Sequence, residues 1–455
     1  MGNILIQNGL IVDTEWTRHG DLLIEGSRIK RIAHKIKQSD CPDDTVVIHA
    51  DGLCVLPGII DAHTHYHLVS RGTVTADSFK EGSKLAAYGG VTTVIDFADD
   101  NKVSLASSLF DRQMEMKNSM AIDYALHQGV YKYRDSLKDE LKVIKDKGVK
   151  AIKIFTTYKN VGYLVEKREE LKAIFSICKE LGMLVCVHAE DDKIITETDA
   201  SWHGDYSPQS HAELRPSIAE AEAIKYVGSI AEELDMPVYI VHLSSKAGLE
   251  AVRDLRERGV KVICETTPTY LFLDKSKLSG PDGSLYVMTP PLREEEDNLA
   301  LQEALREGEI QVVATDHCAF TREQKLSSND CRTIYPGIPG TEELLPLVYT
   351  YGILGGNLTL SQIVNVLSSG PAKAFGLYPR KGCLQEGSDA DIVLFNPEEN
   401  WTLTSSNLHS ASGYTAYEGK NVTGKVVMTY LRGRLILGDG LYLGLEGDGR
   451  FIKAE

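Results

Sequence analysis

Eight times between about residues 55 and 317, a short apolar run is followed by a longer segment of helical periodicity. The runs cover residues 55–60, 90–97, 122–130, 151–156, 183–188, 237–243, 261–265 and 311–315. They are nearly continuous in apolar residues, the pattern of strands covered on both faces in a parallel sheet. Between them, apolar residues recur at the spacing of a helix buried along one side, as in 78–88, 137–147, 167–181, 218–234 and 298–307. Gly89, Gly148, Gly182 and Gly259 stand where several of these helices should stop. Eight β/α units in series predict a closed (β/α)8 barrel of the TIM type. The rival, an open doubly wound sheet, would carry a Gly-x-Gly-x-x-Gly turn after its first strand, and none follows here.

The two ends read differently. Residues 1–54 and about 376–455 hold short strand-like runs split by turns, such as Leu22-Leu23-Ile24-Glu25-Gly26 and Gly424-Lys425-Val426-Val427-Met428. Strands at both termini flanking a barrel predict one smaller, discontinuous β-sandwich domain built from 1–54 and 376–455, with the barrel over 55–375. Residues 1–6 read as its first strand and lack the basic segment and long apolar core of a secretion signal.

Composition narrows the function classes. The formal net charge of -16 disfavours a nucleic-acid partner or an anionic membrane surface. No stretch approaches the ~18 apolar residues of a membrane span. Eight cysteines without a Cys-x-x-Cys pair argue against a disulfide framework and for the cytoplasm.

The chemistry is carried by what stands at the ends of the apolar runs. The first ends in Asp61-Ala62-His63-Thr64-His65, where two imidazoles two residues apart share one face of an extended chain. Later runs end in His188, His242 and Asp316. Barrels of this type hold their chemistry at the C-terminal ends of the strands, so these five side chains should meet at one mouth. Nitrogen and oxygen ligands with open positions suit a catalytic zinc. Lys153 lies inside the fourth run. Burial beside a cation would keep its amine neutral. A neutral amine can take up carbon dioxide to form a carbamate, an anion with two oxygens able to bridge two ions. Lys150 and Lys159 lie at the edges of that run and should be solvated. His67 and His317 neighbour the site in supporting or purely structural positions; Asp61 either orients a histidine or caps a strand end. Cys318 and the other cysteines read as packing residues.

These segments together resemble the amidohydrolase superfamily, and more narrowly its cyclic amidases, the hydantoinases and dihydropyrimidinases. The resemblance rests on Pro57-Gly58-Ile59-Ile60-Asp61-Ala62-His63-Thr64-His65, Gly90-Val91-Thr92-Thr93-Val94-Ile95-Asp96-Phe97, Ile152-Lys153-Ile154-Phe155-Thr156-Thr157-Tyr158-Lys159, Val187-His188-Ala189-Glu190, Val241-His242-Leu243-Ser244, Met288-Thr289-Pro290-Pro291-Leu292-Arg293, Ala314-Thr315-Asp316-His317-Cys318 and Gly387-Ser388-Asp389-Ala390-Asp391-Ile392-Val393. It implies two divalent ions, zinc by default: a buried one on His63, His65 and Asp316, and a more exposed one on His188 and His242. Carboxylated Lys153 would bridge them. It further implies that Tyr158 stabilises an oxyanion and that the backbone of Thr289 holds the cyclic amide. Where the family commonly has Pro-Asn-Gly, this chain has Tyr335-Pro336-Gly337. Pro336 has no N–H, so only a carbonyl contact can be made there, beside Gly337.

The reaction so implied is hydrolysis of a hydantoin or dihydropyrimidine ring to an N-carbamoyl amino acid. Hydroxide generated between two metal ions attacks the carbonyl, and Asp316 carries the proton to the leaving nitrogen. Allantoinase and dihydroorotase are the enzymatic rivals. A dihydroorotase-like pattern would place an arginine two residues after the second histidine, where this chain has His67, with Arg71 nearby. A metal-free scaffold on the same fold is the non-enzymatic rival. Relatives of this kind form tetramers, which sets the expectation of a homotetramer.

Overall fold

A computed structural model describes every residue except Met1 and Asn357. Its centre is an eight-stranded parallel sheet of β1 (Ile59–Asp61), β2 (Val91–Ala98), β3 (Asp123–Gly129), β4 (Ala151–Phe155), β5 (Leu184–His188), β6 (Val238–Ile240), β7 (Val262–Thr266) and β8 (Val312–Val313), each paired with its neighbour in chain order. The ring is completed just above β1 and β8. There Thr64 bridges His317 in parallel, and the His65 amide donates to the His317 carbonyl at 2.8 Å. The barrel expected from the eightfold alternation is present.

The expected helices form, and their ends follow from local chemistry. Ser78 caps Phe79–Tyr88 by accepting from the amides of Lys80 and Glu81. Gly182 ends Arg168–Leu181 in the left-handed conformation, at φ 65°. On that helix Leu171, Ile174, Phe175 and Cys178 are buried, one stripe against the barrel wall. Among the described residues, no helix is long and apolar enough to cross a membrane.

Strand alternation sorts the barrel into two layers. On β5, Leu184 and Cys186 point inward, with Ile60, Ala151, Tyr239 and Val312. Val185 and Val187 point outward into the helix layer. Phe375, Leu377 and Ile452 close the bottom of the inner layer. Ile452 is held there because the last segment pairs with β3: the Tyr124 amide donates to the Arg450 carbonyl, and the Ile452 amide donates back to Tyr124.

The termini share a second sheet. Its path runs Leu441–Tyr442, Arg434–Gly438, Asn421–Leu431, Ile392–Thr402, Cys54–Pro57, Asn3–Val12, Thr17–Glu25 and Arg28–Ala33. Val46–His49 and Cys54–Pro57 pair with successive halves of Asn3–Val12, so the sheet branches. Its first strand begins within the stretch 1–6 read as one and runs on through Val12; Met1 is outside the described residues.

One expectation is corrected. Residues 55–60 are not one strand. Cys54–Pro57 belongs to the terminal sheet, and only Ile59–Asp61 enters the barrel. The change of sheet falls at Gly58, where an added Cβ would stand 2.1 Å from Thr92 Oγ1 and 2.9 Å from Asp391 Cβ. Only glycine allows the chain to cross there.

The floor of the barrel is joined to the terminal sheet by buried charge. Lys381 Nζ lies 2.7 Å from Asp123, 2.5 Å from Asp391 and 3.2 Å from Asp389, and Arg432 also pairs with Asp123. These three carboxylates would resemble a cation site, but the ammonium of Lys381 already occupies its centre.

Candidate active site

The top of the barrel gathers the side chains that the strand ends present. His63 and His65 lie two and four residues beyond β1, and both Nε2 atoms stand 3.2 Å from Asp316 Oδ1. The His188 and His242 ring centroids are 4.6 Å apart, and those of His63 and His242 are 5.5 Å apart. Lys153 shares the inward face of β4 with Ala151 and is buried. A cleft of about 110 Å³ is lined by all six, with Tyr158, Thr289, Pro336 and Gly337. Every residue singled out for the site is therefore at this one place.

Three of them leave the ordinary backbone to get there. Tyr158, His242 and Asp316 have φ values of 69°, 39° and 52°, the left-handed region uncommon outside glycine. Each follows closely on a strand, and the turn swings the side chain over the mouth. Such conformations cost on the order of 1–3 kcal/mol each and persist where surrounding structure enforces them.

The donors are held in the state that binds cations. His63 Nδ1 is 2.7 Å from Glu265 Oε1, which directs Nε2 into the cleft. Tyr239 in turn donates to Glu265 Oε2 at 2.8 Å. His188 Nε2 is 2.6 Å from Glu190 Oε2, leaving Nδ1 for the cleft, and Arg215 clamps Glu190 at 2.6 and 3.0 Å. Burial keeps His63 and His242 well below the ordinary imidazole range, hence neutral. Burial also lowers the Lys153 amine to about 8, despite the opposing charges of Glu265 and Asp316. Burial alone would raise Asp316, but His63, His65 and Lys153 outweigh it and hold the carboxylate ionised. Burial raises the Tyr158 hydroxyl, which stays a neutral donor.

This set fits divalent ions. Among the described residues, His242 Nδ1 is buried without a hydrogen-bond partner, an orphan that a cation would satisfy. One ligand atom each from His63, His65 and Asp316 lie within 4.8 Å of one another. Among the described residues, Lys153 Nζ has no carboxylate within ion-pair distance, which leaves room for a change of its chemistry.

The neighbours divide cleanly. Asp61 orients no histidine: it accepts from the Thr315 amide and hydroxyl and from Thr341, tying β1 to the chain just before Asp316. His317 is structural, 3.0 Å from Asp77 through Nε2 and accepting amides at Nδ1. Glu265, Glu190 and Arg215 were not legible as site residues. Glu265 ends an apolar run just as the ligands do, and that was the available signal.

Residues 54–436 match the amidohydrolase family. The chain is 37% identical to a D-hydantoinase of Ralstonia pickettii, over 99% of its own length and 98% of that protein's. The solved dihydropyrimidinase of Brevibacillus agri is 35% identical and superposes with a TM-score of 0.95, over 100% of this chain and 99% of that one. An L-hydantoinase of Arthrobacter aurescens superposes at 0.89 with 27% identity, over 100% of both chains.

Proposed function

The chain belongs to the amidohydrolase family, and we propose that it hydrolyses a cyclic amide, opening a hydantoin or dihydropyrimidine ring to an N-carbamoyl amino acid. The observation that carries this reading is the convergence of His63, His65, Lys153, His188, His242, Asp316 and Tyr158 on one cleft. Residues from about 58 to 375 would supply the chemistry; 1–57 and most of 376–455 would form the β-domain.

Two divalent ions, zinc by default, would lower the pKa of a shared water and polarise the ring carbonyl when bound. His63, His65 and Asp316 would hold one; His188 and His242 would hold the other. The free Lys153 amine would add to the carbon of CO2 and lose a proton, giving a carbamate that would supply further oxygen ligands to this donor set. Asp316 accepts the proton of the attacking water and delivers it to the ring nitrogen as the C–N bond breaks. Tyr158 donates its hydroxyl hydrogen bond to the carbonyl oxygen as negative charge grows there. Thr289 would offer backbone groups to the ring and Pro336 its carbonyl alone, while Gly337 borders the ring with its amide held on the Val287 carbonyl and its carbonyl on Lys325. Eight cysteines unpaired among the described residues support a cytoplasmic setting, and family resemblance supports a homotetramer.

The test is a side-by-side assay of the metal-loaded protein on 5-substituted hydantoins, dihydrouracil, allantoin and dihydroorotate. N-carbamoyl products from the first two are expected. Turnover of allantoin or dihydroorotate alone would replace this reading with one of its rivals, and turnover of none would end it.

A further inference from the structure

Past Tyr158, Thr289 and Pro336 the cleft opens into a vestibule of about 550 Å³. A ring seated inside must send its substituent this way. Arg71, Lys159, Asp192, Asp199, Arg215 and Arg332 bring charge to the vestibule wall, and they are not equally engaged. Arg215 is clamped on Glu190, and Asp192 lies in its field. Arg332 forks onto Asp330 at 2.6 and 3.0 Å, covers the Tyr206 ring, and has Asp199 beside it. Asp192 also accepts the Thr157 hydroxyl at 3.0 Å. The two acids therefore face arginines already held in place.

Arg71 and Lys159 are left over. Among the described residues, neither has a carboxylate within ion-pair distance. Arg71 spends only Nη1, on long 3.4 Å contacts to the carbonyls of Arg332 and Ile334. Among the described residues its Nε–Nη2 edge has no acceptor, and that edge matches a carboxylate with two parallel hydrogen bonds. Lys159 follows Tyr158 directly and adds a second positive charge. In a chain of net charge -16, free cations at the mouth of a buried site are a local reversal of sign. Such a reversal attracts an anion that the rest of the surface repels.

We propose that the ring substituent of the substrate ends in a carboxylate, which Arg71 grips through its free edge and Lys159 assists. The methylenes of such an arm would lie on Ile195, Leu214 and Ile334 along the vestibule wall. This rests on the cyclic-amidase reading and names its substrate class.

The test uses the metal-loaded enzyme and two hydantoins whose arms differ only in charge, 5-(2-carboxyethyl)hydantoin and 5-(2-carbamoylethyl)hydantoin. At low ionic strength kcat/KM for the acid should exceed that for the amide by about tenfold or more, and added salt should shrink the ratio. Arg71→Gln should remove most of that preference through KM, and Lys159→Gln part of it. Equal kcat/KM for acid and amide, or a preference that neither substitution moves, overturns the proposal. So does hydrolysis of unsubstituted hydantoin or dihydrouracil with neither armed compound accepted, although the cyclic-amidase reading then stands. If no cyclic amide is opened, both fall together.

Discussion

Glu265 and His63 are joined by a buried 2.7 Å contact between Oε1 and Nδ1, and this contact decides which imidazole nitrogen faces the cleft. Glu265 also accepts the His242 amide at 3.2 Å, so one carboxylate steadies two histidines from different strands. Glu265→Gln keeps the shape and removes the charge that makes Nε2 a stronger donor. Metal affinity should fall roughly 10- to 100-fold, the usual effect of losing such a partner. Chelator competition on the purified variant checks it; unchanged affinity would show that His63 needs no such anchor.

Lys153→Ala should lose metal and activity together, because the buried amine is the one group able to place a new anion between the histidine pairs. Added formate or acetate should restore part of both, since a short carboxylate fits the volume that the side chain vacates. Metal content and turnover, measured on the same sample with and without formate, decide it. Full metal occupancy in the variant refutes the bridging role.

The candidate metal ligands were legible because, Lys153 apart, each ends an apolar run, and a ligand-type side chain in that position has few other uses. His188 and Lys153 also follow from alternation alone, sharing a face with Cys186 and Ala151. What stayed hidden arises only in three dimensions. Glu190 becomes meaningful when Arg215, 25 residues later, closes on it. Gly58 looks like an ordinary turn glycine until the crowding by Thr92 shows two sheets meeting there. The left-handed turn at His242 breaks the alternation set by Tyr239 and Val241, so pattern reading would aim that ring wrongly.

Lys325 is wholly buried, yet it has exact company for three N–H groups: the carbonyls of Val287 at 2.5 Å, Tyr335 at 2.7 Å and Gly337 at 3.0 Å. It thereby fastens the Pro336–Gly337 turn to the strand of chain leading to Thr289. Lys325→Met leaves the candidate ligands intact and loosens both segments proposed to contact the ring. KM should rise about tenfold, the scale of one lost charge-assisted hydrogen bond of ~1.5–3 kcal/mol, with metal content unchanged. Lys325→Arg should not rescue, because a planar guanidinium cannot place three donors around one point. An unaltered KM in the Met variant would remove Lys325 from the positioning of substrate.

Glu343 gives the fold a pH dependence of its own. Burial raises its carboxyl from 4.5 to about 7, against the Thr415 hydroxyl bond that lowers it. A carboxyl raised on folding favours the folded state below its unfolded value and loses that contribution as pH rises through the folded one. The loss should fall between about pH 4.5 and 7 and amount to roughly 3 kcal/mol. Glu343→Gln removes the titration and keeps an acceptor for Thr415. Urea midpoints at pH 5, 6, 7 and 8 should show the variant gaining on the parent as pH rises, then running parallel above 7. A constant difference across the range would show that Glu343 does not titrate there.

Lys381 separates stability from catalysis. Its ammonium sits among Asp123, Asp389 and Asp391 at the N-terminal end of the barrel, while the ligand cluster lies at the C-terminal ends of the strands. Replacing it leaves Asp391 without its cation, while Arg432 stays on Asp123 and Arg28 and Arg380 stay on Asp389, and breaking a buried pair in this way costs about 3–5 kcal/mol. Lys381→Met should therefore lower the denaturation midpoint sharply. The folded fraction should keep its full metal content and its KM, because nothing at the mouth has moved. A variant that folds as firmly as the parent would mean that the network contributes little to holding the terminal sheet on the barrel. A variant that folds but loses metal would mean that the floor and the mouth of the barrel are mechanically coupled.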